Sequence, residues 1–519
     1  MRTRQMTPWL LAAIVAVLCS GGGRAHAVFP ATPPNDPLYA PDVCPPATTC
    51  GGPTGQWNLF SFAPDIPPTP HASGISADLA WQVTLGRPDV VIAILDSGVD
   101  YDHEDLRDKI WLNRGELPIP AGACAPPPGD PHDCNGDGVF NVEDYATDPS
   151  VTDTNGSGDV DRGDLAVFAD GADDDGNGYI DDLSGFDTDD DDGDEFDHRF
   201  FGHGTGRAGI AAPETDNALG VAGVCPRCPL MNVRIDDTFV ASSDGIAKGA
   251  IFAIDSGAKV INMSLGGQTA SRMSRGAFDY ATTKDVLAVN ASANEFSFHQ
   301  NFQAVFDDVV TIGGITPDNR TLTNTWLQKA NFSNYGAHLE LVAPTVMPGA
   351  DMGLSGALPN HASYGEKASG TSSSAPHAAG VAALVWSRAR DIGLTPDLSA
   401  QEVRQIMDRT ARDITAADLT GYAVSVGWDK WTGYGRVDAK AAVDRVAVGT
   451  IPPEADINAP DWYTLVDGMV AVQLYANARR ATTFDWTLEV APGVEPTVFT
   501  RSPARAAWPR TRRCRRRTA

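Results

Sequence analysis

The chain has 519 residues, 67 of them acidic against 39 Lys and Arg, for a formal net charge of −28, and 42% of its residues are apolar. That length can bury a large core and admits two or three domains, or one large domain with additions. The negative balance excludes nucleic acid as a partner, because that partner asks for a basic patch.

At the N-terminus, Met1-Arg2-Thr3-Arg4, the apolar run from Trp9 to Leu18 and Ala25-His26-Ala27 supply the three parts of a secretory signal peptide. Residues 1–27 are therefore expected to be removed and the protein secreted, with a mature start near Val28. The run is too short for a membrane span, and no later stretch is apolar enough to form one. In an exported chain the neighbouring pairs Cys44 and Cys50, Cys124 and Cys134, and Cys225 and Cys228 are expected to close three small disulfide loops. From Val90 to about Ala447, short apolar runs alternate with amphipathic stretches, the pattern of a parallel sheet with helices on both faces. The predicted strands are Val90 to Leu95, Leu230 to Ile235, Lys259 to Met263, Val286 to Ala291 and Asp308 to Ile312. The predicted helices are Ser242 to Asp255, Thr371 to Arg388 and Gln401 to Ile414.

The first strand runs directly into Asp96, Ser97 and Gly98, at the edge where parallel sheets present functional groups. Taken alone, Asp96 reads more readily as a turn or capping residue. Residues 112–197 then replace apolar periodicity with Pro, Gly and Asp and are expected to be an insertion between a strand and a helix. From Asp133 to Asp197 there are 23 Asp or Glu against a single Arg. Asp133, Asn135 and Asp137, with Asn141 and Asp144, repeat the oxygen-ligand spacing of an EF-hand loop, Gly138 making the sharp turn. Asp153 and Asn155, with Asp159, Asp161 and Asp164, repeat it again, and Asp173, Asp175, Asn177 and Asp181 form a third set. One such run is ordinarily a solvated loop; three with matching spacing predict bound Ca2+. The first two end in Asp where the bidentate Glu is usual, which predicts weaker binding.

Gly202-His203-Gly204-Thr205 opens a helix of small residues. A lone His is usually structural, but flanking glycines let backbone crowd the imidazole and hold one orientation, as a base requires. In the segment from Ala368 to Gly380, Ser372 stands at a helix start, where developing negative charge is favoured. Asp, His and Ser in that chain order, each at the edge of its own element, form one of the known arrangements of a catalytic triad. Beyond Ala447, Ile451-Pro452-Pro453 marks a linker, and Asp461 to Leu488 alternates enough to place a small β module within 448–500. The last segment, 501–519, carries eight Arg and the odd Cys514; it reads as a disordered tail or as the product of a shifted reading frame.

Between Asn35-Asp36-Pro37-Leu38-Tyr39 and Gly433-Tyr434-Gly435-Arg436-Val437-Asp438 the chain resembles the subtilisin-like serine proteases, the peptidase S8 family. Three motifs in order carry the resemblance, joined by a fourth, Val286-Leu287-Ala288-Val289-Asn290-Ala291-Ser292-Ala293-Asn294-Glu295. It implies an α/β fold, a three-layer sandwich with a mostly parallel central sheet, over residues 28–447, with 112–197 as an acidic EF-hand or dockerin-like insertion and a short β-rich segment after it. It also implies a monomeric serine endopeptidase acting on unfolded or flexible polypeptides. By the resemblance Ser372 is the nucleophile, His203 the base, Asp96 its orienting carboxylate, and Asn294 the oxyanion donor beside the Ser372 N–H. Asn262-Met263-Ser264-Leu265-Gly266-Gly267 resembles the segment that pairs with substrate backbone, making Ser264, Leu265, Gly266 and Ala293 candidate substrate-binding residues. A separate Ca2+ site, of Gln56, Asp105 and Asn217, carries over from the family. The chain departs from the pattern at Ala293, where glycine is usual, at Ser373-Ser374, where Met-Ala is commoner, and at Arg207, where an apolar side chain is usual. The rival reading is an inactive relative that serves as a calcium-dependent binding or adhesion module. An esterase of the α/β-hydrolase type fits poorly, because its serine precedes its acid and its His.

Overall fold

The computed structural model describes residues 29–39, 55–60, 74–267, 269, 271–316, 328–355, 358–419, 421–460, 471–490, 500–501 and 507–509. The expected signal peptide, the Cys44 and Cys50 pair and nearly all of the Arg-rich tail lie outside the described residues.

Among the described residues ten strands precede residue 347. In chain order they are β1 (Ile92–Asp96), β2 (Gly185–Asp187), β3 (Leu230–Arg234), β4 (Val240–Ala241), β5 (Val260–Met263), β6 (Gly266–Gly267), β7 (Leu287–Ala291), β8 (Val309–Thr316), β9 (Gln328–Lys329) and β10 (Leu341–Pro344). The main sheet runs β10-β8-β7-β5-β1-β3-β2, with every pair in that path parallel and β9 antiparallel on β8. Its strands are buried on both faces, as their apolar composition requires. Successive side chains alternate: Ile92 and Ile94 enter one apolar core, Ala93 and Leu95 the other.

Helices cover both faces. On the Ile92 face lie α1 (Ala77–Ala80), α2 (His203–Ala211), α5 (Thr371–Asp391), α6 (Ala400–Thr410) and α7 (Ala439–Arg445); on the Leu95 face lie α3 (Ser243–Asp255) and α4 (Arg272–Thr283). Local sequence sets the helix starts. The Ser242 and Ser271 hydroxyls accept N–H groups of the first turns of α3 and α4, and Ser399 and Glu402 form a reciprocal capping box on α6. Buried small residues of α5, Ala375, Ala378, Ala379, Gly380, Ala382 and Ala383, let it lie close beneath the sheet. At Gly380 a Cβ would meet Val224 at 2.6 Å and the Ala211 carbonyl at 3.1 Å, so α5 and the end of α2 approach as closely as backbone allows. The result is the expected three-layer α/β sandwich.

Each predicted strand and helix is present, with ends moved by a few residues. A hairpin of β11 (Met347–Ser355) and β12 (Leu358–Ala368) and the helix α4 have no counterpart in the sequence reading. The hairpin strands carry Pro348, Gly349, Gly353 and Gly365 in place of a period-two apolar pattern, and two register shifts interrupt their pairing.

The stretch 112–197 contains no α-helix among its described residues, only 3-10 turns at Val142–Tyr145 and Gly163–Phe168. An EF-hand is helix–loop–helix, so that expectation is not supported: Pro-rich flanks such as Pro126-Pro127-Pro128 cannot feed an entering helix. The stretch has a small core of its own, Leu112, Leu117, Val142, Tyr145, Val151, Leu165 and Leu183. It is also less separate than an insertion, because β2 within it completes the edge of the main sheet. Of the expected disulfides, Cys124–Cys134 and Cys225–Cys228 are formed.

After α7, β13 (Glu454–Ala459) pairs antiparallel with β14 (Gln473–Asn477), β15 (Thr483–Asp485) with β18 (Ala507–Pro509), and β16 (Glu489–Val490) with β17 (Thr500–Arg501). Arg480 ties this segment to Glu402 of α6. No helix among the described residues is long and apolar enough to cross a membrane.

Candidate active site

The C-terminal ends of β1, β5 and β7 open on the same side of the sheet, where Asp96, Ser264 and Asn294 lie. Asp96 is fully buried, and its Oδ1 accepts from the Ser97 N–H at 2.9 Å and from His203 Nδ1 at 2.7 Å. A carboxylate accepts only, so Nδ1 carries the proton and Nε2 is left as the acceptor. His203 begins α2. The chain turns into that helix through Gly202 at φ 73°, and at Gly204 a Cβ would fall 2.1 Å from the Gly98 carbonyl, so only glycine brings α2 this close to the loop after β1. The rings of Phe239 and Phe201 lie 5.3 Å and 6.1 Å from the imidazole. Both are exposed large apolar side chains that the sequence reading did not single out.

Ser372 is the second residue of α5 and is 7% exposed. Four residues on, Pro376 has no N–H to give to the Ser372 carbonyl. The Ser264 hydroxyl takes that place at 2.8 Å, while the Ser372 hydroxyl donates to the Ser264 carbonyl at 2.9 Å. Asn294 is fixed by the residue before Ser372: the N–H and O–H of Thr371 both donate to its Oδ1, at 2.8 Å and 3.1 Å. That anchor leaves the Asn294 Nδ2 group as a free-facing donor next to Gly370. Ala293 has φ 82°, the left-handed region in which glycine is at ease, and this is the physical content of the family's preference there. Its N–H donates to Thr371 Oγ1 at 3.1 Å, so the strained residue and the Asn294 anchor are one construction.

The expected substrate segment is only partly a surface. Leu265 is 2% exposed and belongs to the core on the α3 and α4 face, so its side chain is not on a groove. Gly266 and Gly267 form β6, which pairs in parallel with β4, and the Gly266 N–H donates to the Phe239 carbonyl at 3.1 Å. One edge of β6 is thus satisfied by the chain itself.

The departures after Ser372 find partners. Ser374 Oγ donates to the Pro344 carbonyl at 3.1 Å, and Ser373 Oγ accepts from Arg207 Nη1 at 3.0 Å and donates to the Ser369 carbonyl at 3.1 Å.

The three acidic loops share one construction at a spacing of twenty residues. Asp133, Asp153 and Asp173 each accept the N–H groups three, four and five residues on, over distances of 2.6–3.1 Å. The paired glycines of each loop have positive φ, as such wrapping demands. In the first loop Asn135 contacts Asp137 and Asp144; in the second, Asn155 contacts Asp161 and Thr154 contacts Asp164. In the third, Asp181 turns away to the N–H groups of Asp170 and Gly171. Its place beside Asp173 and Asp175 is taken by Glu116, whose carboxylate lies within 4.8 Å of theirs. Asn113 and Asn177 link Asp175 to Asp182, whose carboxyl burial pushes up to about 7. Glu116 and Asn113 come from far upstream of the Asp/Gly run, so loop spacing alone did not reveal them.

Asp105 and Asn217 meet at 2.9 Å, and the Val221 N–H donates to the other Asp105 oxygen. Gln56 joins the same loop by two hydrogen bonds to Ala222. Burial pushes the Asp105 carboxyl up to about 8, and no cationic side chain among the described residues pairs with it. A buried carboxylate without a counter-charge fits a divalent cation.

The Subtilase family model matches residues 87–435. The chain is 33% identical over 367 residues to the thermophilic serine proteinase of Bacillus sp. (strain AK1), covering 70% of this chain and 64% of that one. It is 32% identical to thermitase of Thermoactinomyces vulgaris, over 47% of this chain and 75% of that one. With the halolysin-like extracellular serine protease Nep of Natrialba magadii it shares 30% identity, over 79% of this chain and 52% of the relative. The chain therefore spans roughly half to three quarters of these relatives. With the match running from just before Asp96 to well beyond Ser372, the chain belongs to the subtilase family of serine peptidases.

Proposed function

We propose that this protein is a secreted serine endopeptidase that hydrolyses peptide bonds of unfolded or flexible polypeptides through an acyl-enzyme on Ser372. The observation that carries this reading is the 2.7 Å hydrogen bond from His203 Nδ1 to the buried Asp96, which fixes the tautomer that leaves Nε2 basic. To react, Ser372 Oγ leaves the Ser264 carbonyl and turns to Nε2. As Oγ attacks the scissile carbonyl carbon, its proton passes to Nε2, and the C=O bond opens to an oxyanion. The Nδ2 group of Asn294 and the Ser372 N–H are the donors for that oxyanion, already oriented before charge develops. Collapse breaks the C–N bond, the amine leaves with the proton from Nε2, and water repeats the sequence to release the acid and restore Ser372. The edge beside β6 favours extended backbone, which a folded substrate rarely offers. Export and an extracellular site of action follow from the leader pattern of residues 1–27 and agree with the extracellular serine protease of Natrialba magadii.

Ca2+ is the proposed cofactor, held at Asp105 with Asn217 and at Glu116, Asp173 and Asp175. When bound it supplies the positive charge that the buried Asp105 and Glu116, and the more open Asp173 and Asp175 beside Glu116, lack. The protein's part is to hold those groups on loops that the turn glycines Gly176 and Gly178 and the hydrogen bonds from Asn113 to Asp175 and from Asn217 to Asp105 already shape.

Purified protein and Ser372→Ala, each assayed on casein and chromogenic peptides with Ca2+, test the reading. Hydrolysis by the first and a loss to background in the second is the expected result. A folded, Ca2+-loaded wild type that cleaves nothing overturns it.

A further inference from the structure

The guanidinium of Arg207 is buried between α2 and α5, 6% exposed, in a family position where an apolar side chain is usual. It stands four residues after His203 and so on the same face of α2. Its one hydrogen bond among the described residues runs from Nη1 to Ser373 Oγ, at 3.0 Å, next to Ser372. Its Nε is buried without a partner, and so is Oδ2 of Asp96. Asp96 on β1 and Asp351 on β11 lie within its electrostatic reach, yet neither pairs with it directly. Among the described residues the remaining ionisable group facing it is His377 of α5, a neutral neighbour under a cation. A buried charge without an ion pair costs stability, and a well-packed apolar side chain of similar size ordinarily does better. Packing therefore does not account for an arginine here; its position between the base, its carboxylate and the nucleophile's helix does.

We propose that Arg207 is a positioning residue for the reaction: it ties the helix of His203 to the helix of Ser372 through Ser373, and it sets a fixed positive charge behind the Asp96–His203 pair. The proposal rests on the reading of Asp96, His203 and Ser372 given above. Two effects follow. The tether holds the imidazole and the hydroxyl in register, so its loss lowers kcat and leaves KM alone. The charge repels an imidazolium, so its loss lets the base protonate at higher pH and moves the acid limb of kcat/KM upward.

The experiment compares wild type with Arg207→Met, Arg207→Lys and Ser373→Ala on a chromogenic peptide across pH, with a fluorophosphonate label counting reactive Ser372 and thermal unfolding measured alongside. Arg207→Met is expected to keep or raise Tm, to lose kcat about tenfold at constant KM, and to shift the acid limb up by about half a pH unit. Arg207→Lys returns the limb to its place, and Ser373→Ala lowers kcat without moving it. A merely structural arginine would instead lower Tm and leave both kinetic signatures unchanged. Wild-type kcat and limb in folded Arg207→Met overturn the proposal; should that variant not fold, wild-type kcat in both Arg207→Lys and Ser373→Ala does so. A wild type that neither cleaves nor takes the label overturns the triad reading, and this one with it.

Discussion

Ala293 shows how one residue couples backbone strain to a functional side chain. At φ 82° an L-residue is held where its Cβ crowds the carbonyl, at a cost of about 1–2 kcal/mol. Glycine removes that cost but adds freedom to the unfolded chain, so Ala293→Gly is expected to raise stability by only about 0.5 kcal/mol in urea unfolding. A measured loss of stability would show that the Ala293 methyl makes contacts worth more than the strain. The sequence marked Ala293 as a departure from the family, and the dihedral supplies the reason. Arg207 was marked in the same way, as a departure where an apolar side chain is usual, and it is hydrogen-bonded to Ser373.

At the scale of elements, α5 is the clearest case of local sequence acting at a distance. Its proline frees one carbonyl, Ser264 fills it, and the nucleophile's helix is thereby joined to the end of β5. The same helix carries His377, whose Nδ1 donates to the Ser373 carbonyl at 2.8 Å and whose Nε2 accepts from Asn58 Nδ2 at 2.8 Å. Only the neutral ring satisfies both, and burial, with Arg207 nearby, pushes its pKa down to about 4. The unfolded histidine takes its proton near 6.5 and the folded one near 4, so the contribution is complete above pH 6.5 and lost as pH falls to 4. The expected loss is about 3 kcal/mol. Urea unfolding of wild type should therefore weaken more steeply over that interval than unfolding of His377→Asn; parallel curves would contradict the assignment. The strands and α3, α5 and α6 were legible because burial on both sheet faces and helix caps leave strong periodic marks. The β11–β12 hairpin was not, since glycine and proline erase the alternation that would announce it. Likewise Glu116 and Asn113 joined the third acidic loop through tertiary folding that spacing within the loop does not encode.

At the scale of the whole molecule, burial drives toward the neutral form the carboxyls of Asp105, bonded to the loop after α2, and of Asp182, bonded within the acidic stretch. Cation binding only to the folded chain adds about 2.7 kcal/mol when free Ca2+ exceeds its dissociation constant a hundredfold. Chelation is accordingly expected to lower Tm by several degrees, and Glu116→Gln to reduce the Ca2+-dependent part of that change. Identical melting curves with Ca2+ and with EGTA would remove Ca2+ from the account. Fold class and the motif residues were within reach of sequence because they repeat a family pattern over residues 87–435. The self-pairing of β4 with β6 and the seating of Leu265 in a core were not, because both depend on which strand lies nearest in space.

The bond between Asp96 and His203 closes a loop of 107 residues, most of it the acidic stretch. Loop-closure entropy grows only with the logarithm of length, about 0.6 kcal/mol for each doubling. Lengthening or shortening this stretch therefore changes the equilibrium placement of the two residues very little, whereas the search for that contact lengthens with sequence separation. Outside β2 and its small core, the region between the acid and the base can therefore change in length at little equilibrium cost, and the toll for that freedom falls on the rate of folding.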